Sequence, residues 1–223
     1  FWKNIMKKEL KKRIKTSIIL LFILSFVILL NQITFGIGLF IISMHCFNEW
    51  CIMNIKYFGK KKINYFLIQF SGIIYISIFF TSSILLRGNS NESLIFLIIT
   101  LLICFCSDIG GFVVGKIVRG KKLTKISPNK TISGSIGSFV FSLLPLIILN
   151  IQKPNSEFLF ENILYCLLIS LFCQIGDLLI SFFKRLNKIK DTGDILPGHG
   201  GLLDRVDGII FAIPASLILK FLI

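Results

Sequence analysis

The sequence predicts an all-α fold, a polytopic membrane bundle of about seven transmembrane helices, and three observations predict it. Hydrophobic residues make up 54% of the 223 positions and the mean hydropathy is +0.83, too apolar for a soluble domain of this size. Apolar runs close to the length that crosses a bilayer recur between charged breaks. The runs lack the strict alternation of barrel strands, and lipid cannot satisfy a free backbone, so the spanning elements are expected to be helices.

Taken in order, the runs cover residues 17–30, 33–55, 63–86, 93–115, 134–150, 157–183 and 205–223. The first is short before Asn31 and Gln32, so it either extends into the basic stretch, with Arg13 and Lys15 snorkelling, or turns tightly into the second. Its basic-then-apolar start resembles a signal peptide, but no small-residue cleavage site follows, and we read it as a membrane anchor. The chain begins on Phe1, so residues are expected to precede it, and its end in an apolar run leaves the C-terminus open. Pro145 and Pro214 fall inside apolar runs, where proline kinks a helix more often than it marks a site.

The loops test this segmentation independently. Lys and Arg number seven before residue 17, four in 56–62, one in 87–92, six in 116–130, one in 151–156 and five in 184–205. Rich and poor segments alternate, so with one crossing per run all the rich ones share a side, and basic flanks stay in the cytoplasm. The N-terminus is therefore expected inside. The net charge of +14 is explained by this orientation, together with a general lysine bias, rather than by nucleic-acid binding, since no stacking aromatics interleave the basic residues. The six cysteines lie within apolar runs with no CxxC pair and no histidine at zinc-ligand spacing, so they read as small hydrophobes. No repeat or linker divides the chain: the N-terminal helices of 1–92 and the region 93–223 that carries the chemistry form one continuous membrane domain.

Five of the eleven acidic residues, Asp177, Asp191, Asp194, Asp204 and Asp207, crowd into 31 positions beside Lys184, Arg185, Lys190, His199 and Arg205. Carboxylates and cations around a glycine turn suit a site that holds metal ions and polyphosphate together. Asp177 lies within an apolar run, where a carboxylate at a helix centre costs about 2.5–3.5 kcal/mol on insertion scales and needs compensation. Asp177, Ser181 and Lys184 follow at i, i+4 and i+7, which reads either as an intrahelical ion-pair stripe or as a cation or phosphate site. The stretch from Pro197 to Gly201 includes Gly198, Gly200 and Gly201, so it breaks the helix and lets backbone N–H groups approach a ligand. His199 in that loop is either incidental or a phosphate contact or proton-transfer group. Asp204 and Asp207 start the last run three apart on one face, and Asp204 is the preferred second metal carboxylate beside Asp177.

Earlier, Asp108 interrupts the fourth run and is expected to face a polar cavity. Gly111 and Gly115 after it fit either close helix packing or a ligand. The following loop sets Ser127, Lys130, Thr131 and Ser133 around a helix start at Gly134, a phosphate-binding geometry that ordinary capping also produces.

SFFKR at 181–185, KD at 190–191 and LPGHGGLLDRVD at 196–207 closely resemble the signature of the phosphatidate cytidylyltransferases, the CDP-diacylglycerol synthases. IGDL at 175–178 and SPNKT at 127–131 resemble further blocks of that family in the same order, and the resemblance covers roughly 93–223. It implies a Mg²⁺-dependent reaction in the inner (cytoplasmic) membrane, with the active site on the cytoplasmic side. The phosphate of phosphatidic acid, drawn from membrane lipid, attacks the α-phosphorus of CTP, releasing pyrophosphate and leaving CDP-diacylglycerol. It also implies a homodimer and a paired-metal site whose carboxylates fall at Asp177 and Asp204. The catalytic set is then Lys184, Arg185, Lys190, Asp191, His199 and Arg205, with Asp108, Ser127, Lys130, Thr131, Ser181, Gly198, Gly200, Gly201 and Asp207 binding substrate. One departure is Ser133, where the family usually carries an acidic residue. The rival readings are a CTP-using lipid kinase and an anion transporter. Against the second stand the absence of an inverted repeat and the gathering of acidic residues near one membrane face.

Overall fold

The computed structural model describes residues 25–58, 62–124, 126–147, 159–195 and 200–222. Among the described residues the main helices are, in order, α1 Gln32–Phe58, α2 Lys62–Arg87, α3 Asn91–Val118, α4 Ile132–Ser142, α5 Leu159–Leu186 and α6 Leu203–Leu222. Four of them, α1, α2, α3 and α5, are long and apolar enough to cross a membrane, and the protein is an integral membrane protein. The expectation of seven crossings is met only to that extent. Most of the first run lies outside the described residues, and α6 has the length but carries Asp204, Arg205, Asp207 and Lys220.

The fifth run is broken at the proline that the sequence marks as a kink. Regular helix is interrupted after Ser142 and resumes at Leu146 and Ile147, where the described residues of this run end; at 1.5 Å per residue the 11 residues of α4 alone reach about 16 Å. Pro145 supplies the reason, since proline cannot donate to the carbonyl a turn behind and crowds it. The chain answers with tight i to i−3 bonds from Leu143, Leu144, Leu146 and Ile147 to the carbonyls of Val140, Phe141, Leu143 and Leu144. Pro214, by contrast, is carried inside α6 without ending it.

Small residues set how closely the helices approach. A Cβ at Gly110 would stand 2.5 Å from the Gly137 carbonyl, and one at Gly111 would stand 2.6 Å from Ser138 Oγ, so α3 and α4 touch backbone to backbone. Packing is thus what the glycines of 110–115 do. Helices α5 and α6 cross in the same way at Gly176 and Gly208. Buried hydroxyls add polar ties where the alternative partner is hydrocarbon: Thr100, Tyr165 and Ser216 form a triangle of 2.7–3.0 Å bonds joining α3, α5 and α6. Ser107 and Ser170 pair at 2.8 Å. All six cysteines are free, as expected of small hydrophobes.

The basic loops gather at one end of the bundle. Tyr57 N at the end of α1 donates to Asn187 Oδ1 at the end of α5, and Arg185 reaches the carbonyl of Ile126 in the loop after α3. At the opposite end, Arg87 donates through Nε and Nη2 to the carbonyls of Ile28 and Leu30 and through Nη1 to that of Gly88. Helix α5 finishes at the basic end with paired bonds from Lys188 N to Arg185 O and Ile189 N to Lys184 O, which require a left-handed residue at Lys188, φ 55°. A side chain in that conformation costs about 1–2 kcal/mol. Lys188→Gly is therefore expected to stabilise the protein by about 1 kcal/mol, read as a rise in the thermal midpoint in detergent; an unchanged or lower midpoint contradicts it.

Candidate active site

The site is built where α5 and α6 cross. Glycine at 176 and 208 removes two side chains from the crossing, and each glycine has an aspartate as neighbour, Asp177 on α5 and Asp207 on α6. Asp207 accepts from Gly208 N at 2.9 Å and lies within electrostatic range of Asp177, Lys184 and Asp108 on α3. Asp108 faces α5, where the Cys173 thiol donates to its Oδ1 at 3.9 Å. Three carboxylates from three helices therefore share one electrostatic neighbourhood.

Lysines compensate this charge. Lys130, from the loop after α3, is ion-paired with Asp177, whose other oxygen accepts from Ser181 Oγ at 3.3 Å. Lys184 donates to Asp204 Oδ1 at 2.7 Å, and the second oxygen of Asp204 accepts from Thr192 N at 2.8 Å and Gly201 N at 3.2 Å. The two pairs differ in exposure, with side chains 27% and 31% exposed for Lys130 and Asp177 against 11% and 6% for Lys184 and Asp204. The stripe of Asp177, Ser181 and Lys184 does not close into an intrahelical ion pair. Seven residues span about 10 Å of helix, too far for Lys184 to reach Asp177 directly, so each charge takes a partner from another segment.

The SPNKT stretch places Lys130. Residues 121–124 and 126–132 pair as a short hairpin, with Leu123 N donating to Lys130 O, Ile132 N to Lys121 O and Lys130 N to Ser127 O. Thr131 caps α4 by accepting from Gly134 N at 3.1 Å, so the helix begins at Ile132, two residues before the predicted start at Gly134. Ser133 donates to Arg119 O and shares a bond with Thr131 Oγ1, so the residue at this unusual position closes the hairpin. Arg185 braces the same hairpin through Ile126 O and the turn after α5 through Ile189 O.

The glycine turn is only partly described, since Leu196, Pro197, Gly198 and His199 lie outside the described residues. In the described part, Gly200 has φ +81° and lies against Asp191 and Asp204, while a Cβ at Gly201 would land on Thr192 Oγ1 and Glu49 Oε2. Lys190, Asp191 and Arg205 are exposed around it. Three N–H groups of the described part are engaged within the protein: Gly201 N is taken by Asp204, and Leu202 N and Leu203 N are taken by Glu49, each at 2.8 Å.

Glu49 was missed in the sequence. It comes from α1, is 2% exposed, and also accepts from Thr192 Oγ1 at 2.9 Å. The signal that singled out Asp177 and Asp108, a carboxylate inside an apolar run, applies equally to Glu49 in the run 33–55.

Comparison with known proteins identifies relatives of the chain. The model of the "Cytidylyltransferase family" matches residues 54–223. A phosphatidate cytidylyltransferase of Rickettsia typhi is 35% identical over 217 residues, 93% of this chain and 90% of that one. Those of Bacillus subtilis and Staphylococcus aureus are 37% and 43% identical over 142 and 131 residues, 63% and 58% of this chain. The matched stretch spans about half the length of these two, 53% and 50%.

Proposed function

Since the chain belongs to the cytidylyltransferase family, we propose that it transfers the cytidylyl group of CTP to phosphatidic acid, giving CDP-diacylglycerol and pyrophosphate. The observation that carries this reading is the pair of lysine–carboxylate contacts, Lys130 with Asp177 and Lys184 with Asp204, at the end of the bundle where the basic loops gather. Two anionic substrates repel one another, and fixed cations beside carboxylates bring them together and take up charge developing on the attacked phosphorus.

Asp177 and Asp204 are proposed as the carboxylates of a Mg²⁺ site. The donor chemistry fits, because both offer hard oxygens that already attract a cationic ammonium. Among the described residues no three His, Cys, Asp or Glu side chains converge as a ready cage, which suits an ion held by one or two carboxylates and substrate phosphates. Bound there, the ion would neutralise phosphate charge and orient the leaving pyrophosphate. Lys130 and Lys184 then bind phosphate oxygens from two sides, with Lys190 and Arg205 supporting from the surrounding turn. Lys130, Ser127 and Thr131 hold the hairpin against Asp177, and Asp108 and Asp207 complete the polar wall. The attacking phosphate is already ionised near neutral pH, so little proton chemistry is asked of His199 or Asp191.

This end of the bundle is proposed to face the cytoplasm, where CTP arrives, with the lipid entering sideways from the inner leaflet. Homodimer formation is proposed on the resemblance alone. The test is purified protein with CTP, Mg²⁺ and phosphatidic acid, scored for pyrophosphate and CDP-lipid. Formation of both is expected. Phosphorylated lipid with CDP would favour a lipid kinase, and no product from folded protein would overturn the reading.

A further inference from the structure

The family match begins at residue 54, yet one of the most completely bonded carboxylates of the site comes from before it. Glu49 on α1 receives Leu202 N on one oxygen and Leu203 N and Thr192 Oγ1 on the other. Asp204 grips the same turn from the other side through Thr192 N and Gly201 N. Thr192 is shared, giving its hydroxyl to Glu49 and its amide to Asp204, so the two acids and the turn form one closed network. Glycine at 201 lets Glu49 and Thr192 come so near, and a Cβ at Gly193 would likewise stand 3.1 Å from Glu49 Oε1. The adjacent Trp50 fixes the reach of Glu49, since its indole N–H donates to Ile68 O on α2 at 3.0 Å and its ring lies 4.8 Å from that of Phe183 on α5. A buried anion at the start of α6 is favoured by the helix dipole and by charge-assisted bonds, which are the strong kind.

We propose that Glu49 is a positioning residue for the reaction: from α1 it pins the Gly201–Leu203 turn and, through that turn and Thr192, fixes where Asp204 presents its carboxylate. It touches no substrate and acts only through Asp204. The proposal rests on the cytidylyltransfer reading and extends it to a helix that the sequence marks only by its hydrophobicity.

Glu49→Gln is the discriminating variant. An amide keeps one acceptor but sets an NH₂ group against a backbone N–H, so at least one bond is lost and two donors face each other. A positioning defect lowers kcat and leaves KM for CTP nearly alone, because ground-state binding does not pass through Glu49. The expected result is a fall in kcat of about a hundredfold with KM within about threefold. Amide exchange at 201–203 should speed up. Thr192→Ser, which keeps the hydroxyl, should stay near wild type, and Thr192→Val should follow Glu49→Gln in part. Ser107→Ala removes a buried bond elsewhere, so it should lower stability without moving kcat.

A rise in KM alone, a kcat within threefold of wild type, a kcat loss equally large in Ser107→Ala, or unchanged exchange at 201–203 would each overturn the proposal. Should the wild-type chain form no CDP-lipid, the reaction reading fails, and the exchange measurement still decides whether Glu49 holds the turn.

Discussion

Asp177→Asn should cut the formation of CDP-lipid by about a thousandfold, the scale seen when a site loses a charge aimed at its reacting groups. The amide is nearly the same size as the carboxylate, and it can still accept from Ser181, so the helix has no steric reason to move. What changes is charge: Lys130 loses its partner, and the cation expected on Asp177 loses its ligand. Asp177 is the cleaner test of the two proposed metal carboxylates. Removing Asp204 would also strand Lys184 and two backbone N–H groups in a largely buried place, at a cost of about 1–3 kcal/mol for each unsatisfied group, so lost activity there mixes with lost stability. The measurement is initial rate per folded, membrane-extracted protein. A rate within tenfold of wild type would remove Asp177 from the catalytic account.

Helix positions were largely legible because a bilayer imposes a length and charged residues mark its edges. The runs at 33–55, 63–86, 93–115, 157–183 and 205–223 correspond to α1, α2, α3, α5 and α6 within a few residues. The run at 134–150 is broken between Ser142 and Leu146, at the Pro145 that the sequence marks as a kink; hydropathy alone is blind to it, because proline acts on hydrogen bonding rather than on polarity. Asp177 stood out for its cost in lipid, but its partner did not. Lys130 lies 47 positions away and is delivered by a hairpin that no local periodicity encodes, whereas Lys184, at helical spacing, turned instead to Asp204.

The glycine turn shows the same limit from the other side. Glycine-rich sequence says that something comes close to the backbone, and the ligand reading took that something to be phosphate. At Gly201 it is Glu49 and Thr192. A glycine reports proximity without naming the neighbour, and the neighbour came from a helix read only for its hydrophobicity.

That logic makes Gly176→Ala the second large effect. Its new Cβ would stand 2.6 Å from the Asp207 carbonyl, 2.9 Å from Phe211 Cβ and 3.2 Å from Gly208 Cα, and the carbonyl and Cα are backbone that no rotamer change can clear. Helix α6 must retreat from α5. Overpacking of this kind costs about 1–3 kcal/mol, and because Asp204 and Asp207 ride on α6 the retreat separates them from Asp177. A displacement near 1 Å is enough to lose about a hundredfold in turnover. Gly36→Ala on α1 is the matched control, since its Cβ would meet only Ile84 Cδ1 at 3.9 Å, an ordinary contact. Thermal midpoint and turnover measured together should both fall in Gly176→Ala and both hold in Gly36→Ala. If Gly176→Ala keeps its midpoint and its rate, the helices have room to spare at 176, and the crossing does not set the spacing of the acids.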